Sequence, residues 1–202
     1  MLEETKGHEM NSGWILLDAS HDALRTVVAG LPADAMELPT PCTDWNVTQV
    51  IQHAAGDQVA YAAFLTGEPG PEENPFAPSG SLSGEPLAHV EAAMERSAKA
   101  WAAVDRDAAE VPVPMPPNKM APWLGAGACA LDAAVHAWDI AVATGRPSPL
   151  TPQLARELLV VARETAEPVR GFAYAAALVP EPGDDEVAAL LRHLGRDPHW
   201  TP

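Results

Sequence analysis

The sequence predicts an all-α protein built as a helical bundle. Apolar residues recur at helical spacing over four long stretches, and segments rich in Pro and Gly separate them. No stretch alternates apolar and polar residues convincingly enough for a half-buried strand, and no internal repeat is visible. Four long helices with an appended shorter pair fit a bundle around one core.

The first helix is expected from about Ser12 to Gly30, with Trp14, Leu16, Leu17, Leu24, Val27 and Val28 as core candidates. Gly30 and then Pro32 end it. Pro39 and Pro41 bar a helix from the following loop. The second helix begins at Asn46, which can cap it, with Gln49 three residues on in an Asn variant of the capping box. Trp45 and Val50 hold the two staple positions, and Gly67 and Pro69 stop the helix near Thr66. Gly67 to Glu85 lacks periodicity and reads as a mobile loop.

A third helix spans about Pro86 to Val104. The stretch VPVPMPPNKMAPW cannot be helical and reads as extended. The fourth helix runs from about Trp123 to Thr144, stopped by Gly145 and Pro147. The fifth covers about Pro152 to Glu167, with Pro152 in a tolerated first-turn position. A shorter helix, Asp184 to Leu194, precedes the end.

The chain of 202 residues is long enough for one domain with a sizeable core, and its 47% hydrophobic content is ordinary for a soluble globular protein. The sequence contains no run of eighteen or more apolar residues, so a membrane partner is not expected. The start, MLEETKGHEMNSGW, has acids where a secretory leader would be basic, so the cytoplasm is the expected location. A net charge of −16 repels phosphate backbones and argues against nucleic acid as a partner. Two cysteines make no disulfide framework and suit a reducing compartment.

The fourth helix carries the chemistry. Within LDAAVHAWDIAVATG, Leu131 to Gly145, the residues Asp132, His136 and Asp139 share one side, with Cys129 on the same stripe. At about 100° per residue the four fall within an arc of roughly 80°. A solvated face would carry Lys, Glu or Arg, and none occurs between Pro122 and Gly145. Short acids beside a histidine point instead to a buried polar cluster, which must be paired or bound to a cation. A core hydrogen bond between Asp132 and His136 accounts for the pattern as well as a metal site does. Asp and His at i and i+4 can both reach one ion, but a third ligand has to come from another helix.

The second helix offers His53, followed by the small residues Ala54, Ala55 and Gly56. Taken alone, a histidine on such a helix is more often a satisfied core residue than a ligand. Asp57, one turn on, could orient His53 or compete as a ligand. His8, His21, His89, His193 and His199 read as surface or terminal residues. Two histidines and a carboxylate leave coordination positions open, as in a catalytic rather than a structural site. Zn is the favoured ion, with Ni or Fe as the others this set accepts.

Three segments carry a family resemblance: PTPCTDWNVTQVIQH (Pro39 to His53), LDAAVHAWDIAVATGRP (Leu131 to Pro147) and LLRHLGRDPHW (Leu190 to Trp200). In these the chain resembles the DinB-like metal-binding helical bundles, in the branch that includes the mycothiol-dependent maleylpyruvate isomerases. The resemblance implies a DinB-like four-helix bundle with short additional C-terminal helices. It implies a single domain over 1–202, with a metal-binding core at about 12–146 and C-terminal helices at about 150–202. It also implies that His53, Asp132 and His136 bind a divalent metal, usually zinc, which activates a low-molecular-weight thiol, mycothiol in that branch. The isomerases carry Glu at the place of Asp132 and a larger C-terminal domain, so maleylpyruvate does not carry over as substrate.

The expected function is a metal- and thiol-dependent transferase or isomerase acting on a small electrophilic substrate. A free thiol, with a pKa of about 8.5, is mostly protonated at neutral pH, and coordination to Zn deprotonates it. Asp139 would support the ligands from behind or act as a general base, with a structural hydrogen bond as the alternative. Cys129 reads as packing or an added ligand. Cys42, in a proline-flanked turn with no basic neighbour in sequence, reads as packing. The other functions considered are a non-catalytic metal- or small-molecule-binding protein and a metal-assisted hydrolase. A bundle with exposed faces is also a candidate homodimer.

Overall fold

The computed structural model describes residues 11–32 and 34–202. His8 lies outside the described residues. Among the described residues there are six α-helices: α1 Ile15–Ala29, α2 Val47–Thr66, α3 Pro86–Ala102, α4 Pro122–Ala143, α5 Pro152–Thr165 and α6 Glu186–His193. A 3-10 turn, Glu167–Val169, follows α5. The proline-rich stretch before α4 makes a minimal antiparallel pair, β1 Val111–Pro112 with β2 Lys119–Met120, the only sheet among the described residues. The fold is the expected all-α, DinB-like bundle, with helix ends within a few residues of those the sequence suggests.

Local chemistry sets the helix ends. Asn46 accepts from the Gln49 amide at 3.0 Å while the Gln49 side chain accepts from the Asn46 amide at 3.0 Å, so the capping box before α2 is closed on both sides. Gly67 ends α2 at φ 75°, a left-handed position that suits glycine. Thr151 caps α5 and Asp185 caps α6 through their side-chain oxygens.

Helix α4 is the central element. It packs on α1, α2 and α5, while α3 covers α1 and α2, and α6 covers α5. Of its 22 residues, 18 are buried, which is why its apolar positions run all round rather than on one stripe. By length and a mean hydropathy of 1.2 this helix could cross a membrane, but 94% of its most apolar window is buried inside the protein. Its alanines and glycines let neighbours come close: a Cβ on Gly127 would lie 2.6 Å from Val161 Cγ2 of α5. Residues Leu131, Val135 and Trp138 point into one core cluster, and Ala133, Ala137 and Ile140 into a second.

The segment 67–85 differs from the sequence expectation. It is tied along α2 by two glutamines. Gln52 donates to Glu73, Ser79 and the Ser81 carbonyl and accepts from the Gly80 amide, and Gln49 donates to the Pro78 carbonyl. These amide side chains satisfy loop backbone groups that would otherwise need water. His21 is a second correction: it is 2% exposed, not a surface residue. It meets Gln58 Oε1 at 2.8 Å, and burial lowers its pKa from 6.5 to about 4. The acids beside it in sequence, Asp18 and Asp22, hid the fact that it shares the inner face with Leu17, Leu24 and Val28.

Candidate metal centre

Helix α2 presents His53 and helix α4 presents Asp132 and His136 to one interhelical cleft. The His53 Nε2 to Asp132 Oδ1 distance is 3.3 Å, and His136 Nε2 to the same oxygen is 3.4 Å. One ligand atom from each of the three lies within 4.8 Å of the others, so the set could hold a single ion. The imidazoles are 5% and 7% exposed, and their centroids are 4.7 Å apart in an edge arrangement.

The far side of each ring is already committed. His53 Nδ1 sits 2.8 Å from the Pro75 carbonyl oxygen, an acceptor, so Nδ1 carries the proton and Nε2 keeps a free lone pair. His136 Nδ1 donates to Asp139 Oδ2 at 2.9 Å, which leaves Nε2 as the nitrogen that faces Asp132 and would ligate an ion. Asp132 Oδ2 is buried and has no hydrogen-bond partner. A buried carboxylate oxygen without a donor costs free energy, and a cation beside it would remove that cost. On these three observations the residues fit a divalent metal ion.

With no ion considered, burial pushes the Asp132 carboxyl up, but the neighbouring charges of His136 and His53 outweigh it and hold the group well below the usual carboxylate range. Burial pulls His136 down, and Asp132 more than reverses this, with hydrogen bonds to Asp132 and Asp139 helping. Asp57, half-buried on the cleft wall, is pushed up to about 7 by burial and by the charge of Asp132.

Behind His136 lies a second layer. Asp139 is 0% exposed and accepts from four donors: His136 Nδ1, Cys42 Sγ at 3.2 Å, and Arg196 Nε and Nη2 at 2.9 and 2.8 Å. Arg196 Nη2 also lies 3.5 Å from Cys42 Sγ. Cys42 therefore does have a basic neighbour, which sequence adjacency could not reveal. Cys42, His136 and Asp139 form another group of ligating atoms within 4.8 Å. The Arg196 cation already occupies Asp139, however, and opposes a metal there. Cys129 points away from the cleft. Its thiol donates to Gln58 Oε1 at 3.0 Å and lies 3.5 Å from Ser97 Oγ, and burial pushes its pKa up to about 12.

Sequence reasoning missed Arg196 and the aromatic walls of the cleft. Trp45 lies 4.7 Å from the His53 ring and Phe76 lies 5.4 Å from it, centroid to centroid. Tyr174 lines the same space, its phenol kept protonated by burial at a pKa of about 12. A signal for Arg196 existed: Asp139, on a helix with no basic residue, required a cation from elsewhere in the chain.

The fold and this cleft together define a helical bundle with a His–Asp–His cluster of metal-ligating type between two helices. The chain belongs to the mycothiol maleylpyruvate isomerase N-terminal domain family, whose model matches residues 17–141. That stretch holds Cys42, His53, Asp132, His136 and Asp139 but not Arg196. Among curated proteins it is similar to Uncharacterized protein Rv0738 and Uncharacterized protein MT0763, from two strains of Mycobacterium tuberculosis. Each is 30% identical over 149 residues, covering 74% of this chain and 76% of the relative. No solved structure matches the chain significantly.

Proposed function

We propose that the protein is a divalent-metal-dependent enzyme that joins or isomerises small electrophilic substrates with the help of a low-molecular-weight thiol of the mycothiol type. The observation that carries this reading is the convergence of two imidazole Nε2 atoms on one oxygen of a buried carboxylate whose other oxygen has no partner, beside a cleft. Family membership supports the thiol. His53, Asp132 and His136 would hold the ion, with zinc favoured over nickel or iron by the donor set. The ion would supply Lewis acidity, which favours the thiolate form of a thiol that reaches it.

The chain's own groups set the geometry. The Pro75 carbonyl fixes the tautomer and plane of the His53 ring, and Asp139 does so for His136. With four donors and no exposure, Asp139 has no lone pair open to the cleft, so we assign it a positioning role rather than that of a base. A cavity of about 650 Å³ adjoins the cluster, enough room for a thiol and a second small molecule.

Metal analysis of the purified protein and of His53→Ala, Asp132→Ala and His136→Ala tests the ligand assignment. Stoichiometric metal in the parent and its loss in each variant is the expected outcome; a variant that keeps full metal removes that residue from the site. His136→Ala should also lose roughly 1–3 kcal/mol of stability, because it strips partners from buried carboxylates. Cobalt substitution then separates the chemistries. A thiol-induced change in the visible spectrum is expected. Ester hydrolysis without thiol would favour a hydrolase, and metal with no response to thiol a binding protein.

A further inference from the structure

The cleft beside the cluster has a definite chemical character. Its walls include Trp45, Tyr61, Phe76, Met115, Phe172 and Tyr174. Phe76 and Phe172 come from two separate loops and meet with ring centroids 4.9 Å apart at its mouth. Both remain substantially exposed, at 45% and 72%. Exposed aromatic rings cost free energy in water, and a flat apolar guest between them and the Trp45 face would cover them with favourable edge and stacking contacts.

Charge in the cleft points the same way. Among the described residues that line it, Arg196 is the sole Lys or Arg. Its charge is balanced by Asp139 through two hydrogen bonds, from Nε and Nη2. Asp44, Asp57 and Asp132 line the same space. A divalent ion in the cluster would bring two positive charges against the Asp44 and Asp132 carboxylates and an Asp57 that is partly protonated near neutral pH, within a chain of net charge −16. An acid entering the cleft would lose hydration beside Asp44 and Asp132, and the one guanidinium it meets is already balanced by Asp139.

We infer that the second substrate is an uncharged electrophile of aromatic size, and that carboxylate-bearing analogues are rejected. The word electrophile rests on the metal- and thiol-dependent reading above; the selectivity is a property of the cleft walls alone.

The test has a binding arm and a turnover arm. In the first, para-nitrotoluene and para-toluate, alike in shape and different in charge, are titrated into the protein as purified and after chelator treatment, with binding read by calorimetry. The neutral compound should bind about tenfold or more tightly than the acid in both states. Phe172→Ala, which removes an exposed side chain and threatens no core, should weaken it several-fold. Equal or tighter binding of the acid, no binding of either, or an unchanged affinity in Phe172→Ala overturns the inference.

In the second arm, para-nitrobenzyl chloride and para-chloromethylbenzoate are offered with mycothiol. The sulfur–carbon bond forms as the carbon–chlorine bond breaks, chloride leaves with the bonding pair, and the thiol proton passes to solvent. Faster conversion of the neutral chloride supports both readings. Comparable conversion of the acid overturns the selectivity and leaves the thiol transfer standing. Selective binding with no conversion of either upholds the selectivity and sinks the thiol transfer.

Discussion

Asp139 gathers His136, Cys42 and Arg196, three residues from well-separated parts of the chain. Removing one partner of a buried charge pair leaves the other uncompensated. Arg196→Ala should therefore destabilise the protein by about 3–5 kcal/mol. Arg196→Lys should recover only part of this, because an ammonium cannot reproduce the two-pronged guanidinium contact. Urea denaturation of the three proteins reads the differences; a loss under about 1 kcal/mol in the alanine variant would show that Asp139 does not depend on the pair. Nothing local in the sequence announces this contact. Asp132 and His136 could be read together because helical spacing brings i and i+4 onto one face, whereas the Asp139–Arg196 pairing is decided by tertiary folding alone.

Among the elements, α4 sets the tolerances of the bundle. Its close approach to α5 at Gly127 leaves no room for a methyl group against Val161. Gly127→Ala should cost about 1–3 kcal/mol through overpacking, despite alanine's better helix propensity. Combining it with Val161→Ala should cost less than the sum of the two single changes, since the second relieves the clash the first creates. Additive losses in thermal or urea unfolding would place the strain elsewhere. The elements themselves were largely legible. Asn46 with Gln49, Gly67 and the proline-bounded gaps mark helix ends by local chemistry. The anchoring of segment 67–85 was not, because Gln49 and Gln52 look like ordinary polar positions until the loop folds back on them. His53 was legible as a candidate, but its Pro75 partner was hidden for the same reason.

At the scale of the whole molecule, an acidic chain stays folded only while its buried titratable groups keep their folded protonation state. His21 stays neutral in the folded protein down to about pH 4 but takes a proton near pH 6.5 when unfolded. Between those values the unfolded state binds more protons, so stability falls as the pH falls, by up to roughly 3 kcal/mol, and above pH 6.5 His21 has no effect. Comparing His21→Gln with the parent by urea denaturation at pH 7 and pH 4.5 isolates this part, because the remaining carboxylates are common to both. A similar loss in the two proteins would exonerate His21. Its inner position could have been read from Leu17, His21, Leu24 and Val28, which share a helical stripe; the polar company of Asp18 and Asp22 obscured it.

The stretch matched by the family model ends at 141, and the guanidinium that neutralises Asp139 arrives from 196. Modularity of sequence and modularity of charge therefore part company in this chain. Excised at the family boundary, the bundle would enclose a bare anion against its own histidine. The tail is thus an internal counter-ion, and grafting this bundle onto another C-terminal partner would succeed only if the graft delivered a cation to the same spot.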